Sequence, residues 1–156
     1  KEGTITAANA SSLSDGAASV FLASEDYIKK NNIKPIAKIV SHASYAAEPV
    51  YFTKAPVYAI EKVLKRADIN INKIDLFEIN EAFSCVAMFA IDELGISIDK
   101  VNVNGGAVSL GHPIGASGTR IFVTLLNALI EKNLKYGIAS LCIGGGEASA
   151  VLVEIC

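Results

Sequence analysis

The stretch YGIASLCIGGGEASAVLVEI, residues 136–155, decides the fold. YGIASLCI (136–143) and ASAVLVEI (148–155) are apolar runs of strand character, and the three glycines at 144–146 allow a tight turn between them. They are expected to form a β-hairpin. Upstream, strand and helix patterns alternate. IDLFEI (74–79) reads as a strand and NEAFSCVAMFAIDELG (80–95) as a helix stopped by Gly95. VNVN (101–104) is a further extended piece, and a helix is expected from Gly115 to Lys132. Nearer the start, AASVFLAS (17–24) and IAKIVSHAS (36–44) read as strands. Between them Ser24 is suited to cap a short helix with Glu25 and Asp26 in its first turn and Lys29 and Lys30 in its last. Pro56 suits a first helical turn, and Val57, Ile60, Leu64 and Ala67 then line one apolar face. Strand–helix alternation closed by a hairpin predicts an α/β domain with a mixed, five-stranded sheet covered by helices.

The bulk composition agrees and excludes several functions. The 156 residues are 51% hydrophobic with a mean hydropathy of +0.40, enough for a real core. No uncharged apolar run approaches the roughly 18 residues of a membrane helix. So apolar a chain is expected to have a sheet covered on both faces, or a surface hidden by another domain. With a net charge of −2 and no Lys/Arg cluster, nucleic acid is not an expected partner. Cys85, Cys142 and Cys156 form an odd set without CxxC spacing, which points away from disulfides or a zinc knuckle and towards a reducing compartment. The chain starts at Lys1 rather than methionine, so it is expected to be processed or a piece of something longer.

Polar side chains of catalytic type gather where strands end. Asn80 follows IDLFEI, His112 lies in GGAVSLGHPIGASGTR (105–120), and Cys142 stands before the three glycines. Ligands of open α/β sheets bind at the carboxyl ends of strands, so these three are expected to converge. A histidine beside a thiol stabilises the thiolate, as a nucleophile or base requires. Each also has a plainer reading. His112 alone suits a structural loop histidine, Cys142 a small core residue, Asn80 a helix cap and Ser11 a turn. Cys85, inside an apolar helix, reads as core, and His42 as structural. The glycines after Cys142 weigh the other way, because they let backbone approach a ligand and expose N–H groups suited to an oxyanion. A phosphate loop is not supported, since the Walker lysine and GxGxxG spacing are both lacking.

NEAF (80–83), GGAVSLGHPIGASGTR (105–120) and CIGGG (142–146), in this order and separation, resemble the carboxyl-terminal half of thiolases, and ITAANASSLSDGAA (5–18) resembles the segment ahead of it. The resemblance implies a layered thiolase-like domain at 16–156, a remnant of the preceding segment at 1–15, and an amino-terminal domain absent from the chain. It also implies acyl transfer between coenzyme A thioesters: Claisen condensation of two acetyl-CoA molecules to acetoacetyl-CoA and free coenzyme A, or the reverse thiolysis. Coenzyme A is then a substrate, and no cofactor is required.

By the same resemblance, Cys142 is the base that removes the α-proton of acetyl-CoA. His112 activates the nucleophilic cysteine and binds the thioester oxygen, Asn80 holds a water at that oxyanion site, and the Gly144 N–H serves a second one. Ser11 contacts the pantetheine arm, Ala82 and Phe83 line its tunnel, and Phe52 faces the substrate. TAANAS (6–11) and APVYA (55–59) look most like the mitochondrial acetoacetyl-CoA group, in which carbonyls matching Ala7, Ala8, Ala10 and Val108 help bind potassium. A homodimer or homotetramer in the mitochondrial matrix or cytoplasm is implied for the whole enzyme.

The departure is that the nucleophilic cysteine and the loop gripping the nucleotide belong upstream of Lys1. The 156 residues are therefore expected to carry half an active site and to be inactive alone. A Cys-His-Asn thioester hydrolase and a non-catalytic module of the same fold are the alternative readings.

Overall fold

A computed structural model describes residues 2–156. The elements in chain order are α1 (Glu25–Asn31), β1 (Ala37–Ala46), α2 (Ala55–Ala67), β2 (Leu76–Ile79), α3 (Ser84–Leu94), α4 (Ala107–Leu110), α5 (Ser117–Glu131), β3 (Tyr136–Cys142) and β4 (Glu147–Ile155). The four strands form one mixed sheet in the order β1-β4-β3-β2. The expected hairpin is present as the antiparallel pair β3–β4, with β1 antiparallel to the far edge of β4. β2 runs parallel to β3, so the two strands finish on the same side of the sheet.

Period-2 alternation sorts the side chains onto two faces. Phe77, Ile79, Ile138 and Leu152 pack with Ile60 and Val63 of α2 and with Val86 and Ala90 of α3. Leu76, Ala139 and Val153 point the other way, onto Ile121, Leu125 and Leu129 of α5. Burying each such large side chain contributes about 1.5–3 kcal/mol. Gly137 permits the close approach of α5: a Cβ there would lie 2.8 Å from the Cδ1 atoms of both Leu125 and Leu129. Covered on both sides, every residue of β2 is buried.

Local signals hold at α1, where Ser24 Oγ accepts the Tyr27 N–H at 3.2 Å and Asn32 closes the helix in the left-handed conformation. Three expectations need correction. In VNVN (101–104) only Val101 is extended, bridging Phe77, and residues 102–104 bend and turn. The sheet has four strands, not five, because residues 17–24 form no strand. A strand requires a neighbour's N–H and C=O groups, and among the described residues this segment pairs with none; Phe21 is 81% exposed. The helix expected at 80–95 begins only at Ser84, since Phe83 is extended (φ −139°, ψ 153°) and residues 80–83 turn away from β2. Those four residues border the candidate site.

Candidate active site

The parallel pairing of β2 with β3 carries Asn80 and Cys142 to one end of the sheet. Ile79 pairs with Ser140, and the Asn80 N–H donates to the Ser140 carbonyl at 2.9 Å, one step beyond the strand. Cys142 closes β3, opposite Ala148. His112 reaches this end through the glycine loop, where its N–H donates to the Ser12 carbonyl at 3.2 Å. Gly111 precedes it with φ +95°, a conformation that favours glycine.

The hydrogen bonds of His112 assign its tautomer. Nδ1 lies 2.6 Å from Ser117 Oγ, and that hydroxyl donates its single proton to the Pro113 carbonyl at 3.0 Å. Ser117 Oγ therefore accepts from Nδ1–H, leaving Nε2 with a lone pair. Asn80 Nδ2 donates to Nε2 at 3.3 Å. Asn80 is 1% exposed, and its Oδ1 has no partner among the described residues. Burial, reinforced by the Arg120 charge, lowers the pKa of His112, so the ring is held neutral.

Cys142 has a different environment. Burial pushes its thiol up to about 11, against a smaller lowering by a backbone hydrogen bond. No hydrogen bond joins it to His112 among the described residues. The expected stabilisation of the thiolate by the imidazole is therefore not found in this chain, because desolvation of the thiol dominates. The same wiring argues against an activated Cys-His-Asn nucleophile: the histidine's bonds go to Asn80 and Ser117. After Cys142 the chain turns through Gly146 at φ +103°, where a Cβ would stand 2.5 Å from the Ala47 carbonyl oxygen. Gly144 is exposed and open: a Cβ there would meet nothing within 4 Å, and its N–H makes no backbone hydrogen bond among the described residues.

The neighbouring candidates sit on the NEAF turn. Ser11 donates to the Ala82 carbonyl from both N (3.1 Å) and Oγ (3.0 Å), and Ala10 bridges Phe83. Phe52 meets Phe83 edge to face, with ring centroids 6.1 Å apart. Ala7 and Ala8 lie in an exposed turn, while Val108 is in α4 with its N–H on Glu81. Sequence reasoning missed Ser117, Glu78, Glu81, Asn102 and Arg120. The acidic residue inside the apolar run LFEI was the available signal for Glu78.

Glu78 is 2% exposed and faces Arg120, with Oε2 3.9 Å from Nη1. Burial raises its carboxyl to about 7, Arg120 opposing and Glu81 adding to the rise. Between the ordinary carboxyl value of 4.5 and about 7 the folded state binds more protons than the unfolded. Stability conferred at low pH is therefore lost as pH rises through that window, on the order of 3 kcal/mol in all. We predict that Glu78→Gln removes this component. Urea unfolding at pH 5 and pH 8 would show it as a flatter slope; an unchanged slope would place the effect on other groups.

A family profile described as "Thiolase, C-terminal domain" matches residues 33–155. The chain belongs to the thiolase family, as a carboxyl-terminal domain. It is 53% identical over 154 residues to "Acetyl-CoA acetyltransferase, mitochondrial" of Bos taurus, covering 99% of the chain and 36% of that protein. It is likewise 53% identical to "Probable acetyl-CoA acetyltransferase" of Dictyostelium discoideum, covering 97% of the chain and 37% of the relative. The Bacillus anthracis acetyl-CoA acetyltransferase crystal structure superposes with a TM-score of 0.96 at 43% identity, over 99% of this chain and 39% of that one. The chain thus spans well under half the length of these relatives. No helix among the described residues is long and apolar enough to cross a membrane.

Proposed function

We propose that this chain supplies the carboxyl-terminal half of an active site for acyl transfer between coenzyme A thioesters, joining two acetyl-CoA molecules into acetoacetyl-CoA and coenzyme A, or running the reverse thiolysis. The observation that carries this reading is the Asn80–His112 pair, with its lone-pair Nε2, at the sheet end where Cys142 finishes β3.

In the condensation His112 Nε2 takes the thiol proton of a cysteine of the matching amino-terminal half. That cysteine attacks one acetyl-CoA, and the C–S bond to coenzyme A breaks. Coenzyme A leaves with the proton of the Cys142 thiol, so the acyl group rides on the cysteine and Cys142 becomes the thiolate. Cys142, as thiolate, removes the α-proton of acetyl-CoA. The resulting carbanion attacks the acyl carbonyl, a C–C bond forms, and the C–S bond to the enzyme breaks, returning the cysteine thiolate. Negative charge gathers on two thioester oxygens. One is met by the Nε2–H that His112 has gained from the cysteine and by a water held on Asn80 Oδ1, the other by the Gly144 N–H. Each such donor is worth about 100- to 1,000-fold in rate. The high pKa of Cys142 in this chain fits a base whose ionisation depends on groups from the other half.

Ser11, Ala82 and Phe83 form the wall for the pantetheine arm, with Phe52 behind Phe83 towards the acyl group. A potassium ion suits the carbonyls of Ala7, Ala8, Ala10 and Val108. These are hard, uncharged donors, and those of Ala7, Ala8 and Ala10 accept no backbone hydrogen bond among the described residues. Bound there, the ion would fasten the turn ahead of Ser11 and take no part in bond making. Residues 16–156 act as the domain and 1–15 as its lead-in, within a homodimer or homotetramer of the mitochondrial matrix or cytoplasm. The deciding experiment is coenzyme A-dependent cleavage of acetoacetyl-CoA by this chain mixed with the matching amino-terminal half of a relative. Activity that requires both parts is expected. A folded complex without activity would instead favour a non-catalytic module.

A further inference from the structure

Both carboxylate oxygens of Glu81 are engaged, and each holds a different part of the site. Oε1 accepts from Asn102 Nδ2 at 3.1 Å, and Oε2 accepts from the Val108 N–H at 3.1 Å. Asn102 is itself fixed to the end of β2: its Oδ1 accepts the Ile79 N–H at 2.8 Å and its Nδ2 donates to the Ile79 carbonyl at 2.9 Å. Asn102 adopts a left-handed conformation (φ +49°) in making these bonds. Glu81 directly follows Asn80, and Val108 stands four residues before His112 in the glycine loop. A Cβ at Gly106 would fall within the Glu81 carboxylate, so the second glycine of the loop makes room for it. The network therefore ties the turn that carries Asn80 to the loop that carries His112, and the Asn80–His112 hydrogen bond spans the same gap.

We propose that Glu81 is a positioning residue, holding the glycine loop against the end of β2 so that His112 Nε2 stays on Asn80. Its importance for turnover rests on the acyl-transfer reading; its effect on the imidazole does not. Glu81→Gln keeps the size but presents an amide N–H₂ to one of two N–H donors, so one tie is lost. Gly106→Ala reaches the same end independently by displacing the carboxylate.

The test is the nitrogen-15 spectrum of labelled histidine in the chain at fixed pH, with His42 as internal control. In the parent, His112 is expected as a single tautomer protonated at Nδ1. In Glu81→Gln and in Gly106→Ala the Nε2 resonance of His112 is expected to shift as its hydrogen bond from Asn80 is lost, while Nδ1, still bonded to Ser117 Oγ, and His42 stay put. Glu81→Ala with Gly106→Ala is expected to be no worse than either alone, because the clash and the ties vanish together. Melting temperatures that fall while the His112 Nε2 shift stays at its parent value in both single variants would overturn the proposal and leave Glu81 a purely structural tie.

With the amino-terminal half added, kcat is expected to fall about tenfold or more with the KM for coenzyme A little changed, since small misplacements of a catalytic group carry losses of that order. Unchanged kcat in an active complex would also overturn it. An inactive parent complex would sink the acyl-transfer reading, and the histidine spectra would still decide the role of Glu81.

Discussion

Cys142→Ala is expected to lower coenzyme A-dependent cleavage of acetoacetyl-CoA at least about a thousandfold in the reconstituted enzyme, within the range for loss of a general acid or base together with its proton. The fold should tolerate the change. Cys142 is 8% exposed at the end of β3, and alanine removes a single sulfur from a site that already borders small residues, Ala148 opposite and Gly144 beyond. Stability should therefore drop by no more than about 1 kcal/mol, and a thermal melt run beside the assay separates the two effects. Residual activity within about tenfold of the parent would remove Cys142 from the proton transfer.

His112→Ala should come next in size, with a loss of about 100- to 10,000-fold in kcat. The substitution deletes the acceptor on Nε2, stranding the buried Asn80 Nδ2, and leaves the buried Ser117 Oγ with only its bond to Pro113. Burial and the Arg120 charge lower the pKa of this imidazole. The acid limb of the parent's kcat/KM profile is thus expected below the ordinary histidine value of 6.5. An acid limb at or above that value would mean that the ring titrates in contact with solvent, or that another group sets the limb.

Much of the scaffold was legible because its signals are local. The hairpin, the Ser24 cap, the face of α2 and the two helices flanking the glycine loop need only periodicity and turn residues. The run at 17–24 misled for a physical reason. AASVFLAS has strand composition, but a ladder depends on a neighbour elsewhere in the fold, and composition cannot report one. Within the site, Asn80, His112 and Cys142 stood out as catalytic types at strand ends. Their supports did not. Ser117 looks like any residue at a helix start, and Asn102 like any loop asparagine; their roles come from bonds across 5 and 23 residues of chain. Glu81 reads as a solvated charge until Gly106 and Val108 are brought beside it. The raised thiol of Cys142 was likewise invisible, because it depends on packing around the sulfur.

The parallel register between β2 and β3 also governs where this chain tolerates changes in length. Ile79 opposite Ser140 fixes which way Asn80 and Cys142 point. A residue inserted or deleted within 76–80 or 137–142 would turn one of them to the opposite face. The connections at 95–100 and 132–135 lie outside that register, and a residue gained there leaves the β2–β3 pairing that places Asn80 and Cys142 unchanged. Insertions and deletions in descendants of this sequence should therefore collect in those two connections and spare the strands, whatever happens to the identity of the residues between them.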